Sequence, residues 1–255
     1  MKPTVDATEM PSRGTLLALY SYHRVNGGIV TPNLGPHQPF DDRHHAGEVL
    51  AARLEHFKGR QDVVVLALPR GGVPVAHEVA RALDVPLDVF LVRKLGVPGN
   101  RELAMGAIAS GGVRVLNEDV VAMYRLPETV IDAVARQEQA ELERRELTYR
   151  NGRTPVDVRG RIVLLIDDGL ATGSTMKAAV EAVRVLGPIR IVVAVPVGSP
   201  ETCREFADVA DEIVCARAPE SFAAVGQWYR DFSQTSDEEV RDLLRQHTEP
   251  ATRVR

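Results

Sequence analysis

With 255 residues, 44% hydrophobic and 26% charged, the chain has the composition of a soluble globular protein with one core and room for an appended segment. A net charge of −4 gives no global attraction to nucleic acid or an acidic membrane. Two cysteines, Cys203 and Cys215, exclude a disulfide framework and offer no metal-ligand spacing, as expected for thiols in a reducing cytoplasm.

Residues 1–38 are rich in Pro and Gly without a sustained period and are expected to form an irregular extension. Their longest apolar stretch, Leu16 to Tyr20, is too short to span a bilayer or to act as a signal segment, so no membrane partner is expected. Asp41-Asp42 then offers a cap for a helix running to about Lys58, with Ala46, Val49, Leu50, Leu54 and Phe57 on one face. His44 and His45 at its start point in different directions and read as a surface pair rather than metal ligands.

Val63 to Leu68 is a solid apolar run, the mark of a strand buried on both faces, and it feeds P-R-G-G-V-P-V-A and a helical pattern over Val75 to Leu83. Arg70 adds positive charge there, and Gly71-Gly72 lets a backbone approach a ligand closely. Asp88 to Val92 predicts a third strand. It delivers Arg93-Lys94 into L-G-V-P-G-N-R-E-L, a Gly/Pro-punctuated loop suited to a mobile, cationic flap over about 93–106. Ala107 to Ala109 and Val113 to Leu116 flank Ser110-Gly111-Gly112 as a hairpin. Asn117 or Glu118 opens further helical structure, and Pro127 suits the first turn of a long helix to about Tyr149. Six arginines between 144 and 161 resemble a nucleic-acid surface. Only Tyr149 interleaves with them, however, which favours solvated cations over a nucleic-acid partner.

The chain is organised around R-I-V-L-L-I-D-D-G-L-A-T-G-S-T, residues 161–175. A buried strand, Ile162 to Ile166, ends in Asp167-Asp168. Then Gly169, Leu170, Ala171, Thr172 and Gly173 form a loop, and Ser174 and Thr175 open a helix over Met176 to Leu186. Free amides at such a helix start collect an anion. Two acids beside an anion site would repel its ligand unless they bind sugar hydroxyls, directly or through a divalent cation. A Walker B strand would need a G-x-x-x-x-G-K-S/T loop, and none occurs; nor do Gly169 and Gly173 make a dinucleotide fingerprint. Ile189 to Val195 and Glu212 to Cys215 supply two more strands around a helix of about Glu201 to Ala207. The alternation predicts α/β architecture, a parallel sheet flanked by helices. The tail carries Phe222, Trp228, Tyr229 and Phe232, which either stack a planar base or pin the helix Asp237 to Leu244 to the core.

The acid-pair motif resembles the phosphoribosyl-pyrophosphate motif of type I phosphoribosyltransferases. Together with F-x-D-R at the start, P-R-G-G-V-P-V-A, V-R-K-L-G-x-P-G-N-x-E-L-A-x-G-A-I and W-Y-x-D-F, it is similar to a bacterial group of phosphoribosyltransferases without a settled acceptor. The resemblance covers most of residues 40–245 and implies a type I phosphoribosyltransferase fold over 39–246, with a C-terminal hood at about 217–233 and a tail at 247–255. It implies transfer of a phosphoribosyl group from phosphoribosyl pyrophosphate to a nucleobase or similar small acceptor, in a cytoplasmic, homodimeric enzyme. On this resemblance Asp167 and Asp168 hold the ribose with bridged Mg²⁺, and Arg93 and Lys94 act from the flap. Arg70, Gly71 and Gly72 form the pyrophosphate loop, residues 169–175 the phosphate loop, and Trp228 and Tyr229 the base platform. Ala171 stands where 6-oxopurine enzymes carry an acid, which argues against hypoxanthine, guanine or xanthine. A rival reading keeps the donor-binding loops in a non-catalytic regulator that senses phosphoribosyl pyrophosphate or a nucleotide and contacts RNA or DNA.

Overall fold

In the computed structural model, residues 38–247 and two short strands, β1 (His23–Val25) and β2 (Gly28–Val30), are described. β1 and β2 pair antiparallel within the stretch expected to be irregular. The rest of that stretch, and the tail beyond 247, lie outside the described residues. Then come α1 (Arg43–Arg53), β3 (Val63–Ala67), α2 (Gly72–Leu83) and β4 (Leu87–Val89). A three-stranded antiparallel insert follows, built from β5 (Val92–Val97), β6 (Asn100–Ala109) and β7 (Val113–Leu116). Next are α3 (Glu118–Met123), α4 (Glu128–Arg150), β8 (Ile162–Ile166), α5 (Ser174–Val185), β9 (Arg190–Val197), α6 (Pro200–Glu205), β10 (Glu212–Arg217) and α7 (Asp237–Arg245).

The solid apolar runs are strands because they face two cores at once. Val63, Val65 and Ala67 of β3, with Ile162, Leu164 and Ile166 of β8, enter one core beneath α1, α2, α4 and α7. Their alternates, Val64, Leu66, Val163 and Leu165, enter another with Met176, Val180 and Val183 of α5 and with Phe206. The resulting sheet is parallel, in the order β4-β3-β8-β9-β10. From β3 the chain moves outward to β4, whereas from β8 it moves the other way to β9. The gap between the carboxyl ends of β3 and β8 is therefore a topological switch point, where α/β sheets place ligands.

Two expectations are corrected. Arg93 and Lys94 do not leave a strand for a loop. They lie inside β5, because Val92, Leu95 and Val97 pair and pack while Pro98-Gly99 forms a tight turn with Gly99 at φ +83. Cys203 and Cys215 are not thiols but a disulfide joining α6 to β10, with Cα atoms 6.7 Å apart, so the cysteine count no longer argues for a reducing compartment. Among the described residues no helix is long and apolar enough to cross a membrane.

Candidate functional site

Register places the two loops side by side. Val63 pairs with Ile162 and Ala67 with Ile166, and the Leu68 amide donates to the Ile166 carbonyl at 2.8 Å, so Pro69 to Gly72 and Asp167 to Gly173 emerge together. The glycines are what allow this approach. A Cβ on Gly71 would stand 2.1 Å from Asp168 Oδ2, and one on Gly72 would stand 2.8 Å from the Ile166 carbonyl oxygen. The Pro69–Arg70 peptide is cis. Arg70 itself reaches Asp237 at the start of α7, 3.7 Å away, and the Tyr149 hydroxyl donates to the same carboxylate.

The acid pair is sunk between these loops. Asp167 Oδ1 accepts the Asp168 amide at 2.8 Å. Desolvation first, then repulsion from Asp168, pushes the Asp167 carboxyl well above the usual range. Desolvation also raises Asp168, opposed by Arg43, whose Nε and Nη2 both lie 2.9 Å from Asp168 Oδ2. One guanidinium is thus bonded to Asp168, while burial disfavours the charged form of Asp167 beside it. Among the described residues no cluster of three or more His, Cys, Asp or Glu could hold a metal ion. Two carboxylates alone would supply only part of the oxygen set of a divalent cation, so an Mg²⁺ held by Asp167 and Asp168 would have to take its other oxygens from a ligand.

The loop from Gly169 to Gly173 is braced from behind and open in front. Leu170 is buried, and its amide donates to the Val197 carbonyl while its own carbonyl accepts the Ser199 amide. Its part is structural, played through the backbone. Thr202 Oγ1 donates to the Ala171 carbonyl at 2.6 Å, and the Phe206 ring packs under Gly173, which has φ +69. Ala171, Thr172, Ser174 and Thr175 are exposed. No side chain caps α5, whose N-cap is Gly173, so its first amides face outward as an anion nest.

The flap cations separate. Lys94 Nζ donates to Ser174 Oγ at 2.6 Å, bringing the β5–β6 hairpin to the nest. A cleft of about 440 Å³ opens beside this contact, between the insert and α5. Arg93, one residue earlier and on the opposite face of β5, pairs with Glu138 of α4 at 2.5 Å and is drawn away from it.

The hood side differs from the sequence-based expectation. Tyr229 is only 6% exposed; its ring packs near Phe40, and its hydroxyl donates to the Asp168 carbonyl at 2.5 Å, so it braces the acid pair rather than presenting a stacking face. Trp228 packs against the same small cluster of Phe40, Ala46 and Val197, and its carbonyl accepts the Phe40 amide. Phe232, 39% exposed, lays its ring against the Arg43 guanidinium that holds Asp168. Arg43 is the residue whose role sequence reasoning missed. The motif F-x-D-R contained it, but an arginine in a first helical turn looks like any solvated cation until Asp168, 125 positions away, is brought beside it. The arginine cluster divides: Arg144 and Arg145 pair at the surface with Glu141, whereas Arg150 is buried on Asp88 and Arg153 donates to the Leu244 carbonyl.

Comparison with known proteins follows the same lines. The sequence profile of the Phosphoribosyl transferase domain matches residues 43–227. The chain is 54% identical over 205 residues, 80% of its length, to a Mycobacterium tuberculosis (strain H37Rv) protein named "Putative phosphoribosyl transferase Rv0571c". It spans about half, 46%, of that relative's own length. A protein named "Bifunctional protein PyrR" from Chloroflexus aurantiacus is 32% identical over 129 residues, 49% of this chain and 65% of the relative. The crystal structure of TT1426 from Thermus thermophilus superposes with a TM-score of 0.74 at 45% identity, covering 82% of this chain and 99% of that one.

Proposed function

The chain belongs to the type I phosphoribosyltransferase family, and we propose that it is a working transferase, moving the 5-phosphoribosyl group from phosphoribosyl pyrophosphate to a nucleobase or similar acceptor, with release of pyrophosphate. The observation that carries this reading is the direct packing of the Gly71-Gly72 loop on the Asp167-Asp168 pair, with Lys94 already at the neighbouring nest. A donor with two separated phosphate groups and a ribose between them needs that set of partners in that order.

In this reading the α5 amides and the Thr172, Ser174 and Thr175 hydroxyls hold the 5-phosphate. The backbone of Arg70 to Gly72 receives the pyrophosphate, whose charge grows as its bond to ribose carbon 1 breaks, and the ammonium of Lys94, which reaches Ser174, adds positive charge at the 5-phosphate nest. Asp167 and Asp168 fix the ribose hydroxyls and favour the positive charge that develops on the sugar. Mg²⁺, held by Asp167 and Asp168, would supply neutralisation of the charge on the leaving group. No side chain need act as a nucleophile: the acceptor attacks carbon 1, and the protein orients the partners, neutralises charge and excludes water. Homodimerisation is part of the proposal and is checked by light scattering.

The regulator reading keeps only part of its sequence support: Arg150 is buried on Asp88 and Arg153 is bonded to the Leu244 carbonyl, while Arg144 and Arg145 stay at the surface in pairs with Glu141. Pyrophosphate release from phosphoribosyl pyrophosphate and Mg²⁺, measured against purines, pyrimidines and pyridine carboxylates, tests the proposal. Release dependent on one acceptor supports a transferase. Donor binding without release for any acceptor rejects it in favour of a sensor.

A further inference from the structure

Helix α1 sends one side chain into the site, and that side chain is gripped from both halves of it. Arg43 is 11% exposed. Nε and Nη2 meet Asp168 Oδ2, each at 2.9 Å, while Nη1 donates to the Ser233 carbonyl at 2.7 Å. The guanidinium lies 4.0 Å from the centroid of the Phe232 ring and 5.9 Å from that of Tyr229. A planar fork with several donors can serve a carboxylate, a carbonyl and a ring face at once, which a lysine ammonium cannot.

The acid pair and the hood touch a second time on the same residue, because the Tyr229 hydroxyl donates to the Asp168 carbonyl. The carboxylate cannot retreat from Arg43, since the Gly71 backbone backs the oxygen that Arg43 holds. Elsewhere the hood segment is tied to the residues just before α1. Its residues from Arg230 to Gln234 are exposed, the Arg230 and Asp231 amides donate to the Phe40 and Asp41 carbonyls, and Arg230 pairs with Asp41 at 2.6 Å. Arg43 is thus the charged link between a buried acid and an exposed strip that carries Phe232.

Resting on the transferase reading, we propose that Arg43 is a positioning residue for the acceptor half of the site: it ties the hood segment Tyr229 to Ser233 to Asp168, so that occupation of the acid pair by the donor orders the hood. The acceptor then meets a hood already fixed by the ribose, and the coupling is reciprocal. Donor binding loads the acceptor side without any movement of α1.

The test is hydrogen exchange of residues 225–236, with and without Mg²⁺ and phosphoribosyl pyrophosphate, alongside calorimetry of the same ligand. In the wild type the donor slows exchange of this segment. In Arg43→Met the ligand-free segment exchanges roughly tenfold faster, as expected for loss of hydrogen bonds to a charged group. Donor still binds to that variant, but its protection of the hood disappears; Arg43→Lys regains part of it. Arg43→Met/Asp168→Asn exchanges no faster than the faster single variant. Unchanged exchange over 162–166 in every variant reports an intact sheet, so a general loss of folding is told apart. Equal donor protection in wild type and Arg43→Met overturns the proposal, as does additive loosening in the double variant. If the wild type binds no phosphoribosyl pyrophosphate, the transferase reading falls, while the ligand-free variants still decide whether Arg43 joins the acid pair to the hood.

Discussion

Gly71→Ala isolates the contact on which the site depends. Gly71 sits at φ −59 and ψ −33, a conformation that alanine adopts freely, so the substitution costs nothing in backbone strain. What it meets is Asp168: the added Cβ would stand 2.1 Å from Oδ2, where ordinary contact begins near 3.4 Å. A displacement of about 1.3 Å must be found, and the carboxylate is pinned by Arg43 at 2.9 Å. Overpacking of this size costs about 1–3 kcal/mol, and every 1.4 kcal/mol lost from donor contacts is about tenfold in affinity. Urea denaturation should therefore show a loss of that order, and calorimetry should show donor binding weakened about tenfold or more. The decisive comparison is the Asp168→Ala background, in which the main obstruction is gone, only Arg43 Nε at 3.2 Å is left close to the new Cβ, and the stability penalty of Gly71→Ala should fall to a small fraction. Gly160→Ala is the control, because Gly160 has φ +69 and open space around its Cβ position, so its cost is conformational and should not depend on Asp168. An equal penalty for Gly71→Ala in both backgrounds, or wild-type stability and binding, would refute the reasoning.

Other substitutions separate the neighbours. Lys94→Ala should weaken donor binding about tenfold by removing a cation from the 5-phosphate nest, whereas Arg93→Ala, which frees Glu138, should change it less than about threefold and cost about 1 kcal/mol of stability. Arg150→Met strands Asp88, buried at its side, and should destabilise by about 3–5 kcal/mol in denaturant without changing affinity for nucleic acid. Acid sensitivity should involve His247, whose ring nitrogen lies 3.0 Å from that of His77. Desolvation, then His77, lowers its pKa to about 4. Between about pH 6.5 and 4 the unfolded chain takes up a proton that the fold refuses, so stability is full above that window and falls with acidification through it. His247→Asn should flatten this limb of the pH–stability curve, and an unchanged slope would remove His247 as its cause.

The legible parts of the chain are those where one residue pattern has one physical solution. Ile162–Ile166 is readable as a doubly buried strand to the residue, because five apolar side chains in a row need cover on both faces. Asp42 is readable as a cap, and it accepts the His45 amide. The flap misleads because Gly96, Pro98 and Gly99 look like loop punctuation. Gly96 sits at a register shift of β5, and Pro98-Gly99 is the turn that lets β5 and β6 pair. Side-chain direction within β5 is not legible either: alternation sends Lys94 to Ser174 and Arg93 to Glu138, although adjacency in the motif suggests one role for both. Tyr229, Arg43 and the Cys203–Cys215 pair share a different obstacle. Their partners lie on other elements, and only the tertiary arrangement decides whether an aromatic is a platform or a brace, whether a cation is solvated or spoken for, and whether two sulfurs meet.

Calorimetric titration of phosphoribosyl pyrophosphate into the wild type and Asp167→Asn/Asp168→Asn, each with Mg²⁺ and with chelator, tests the central claim most directly. The account predicts Mg²⁺-dependent binding to the wild type and none to the double variant, with both showing the same cooperative unfolding. Equal affinity in the two proteins, or wild-type binding indifferent to Mg²⁺, would contradict the assignment of the acid pair to the donor.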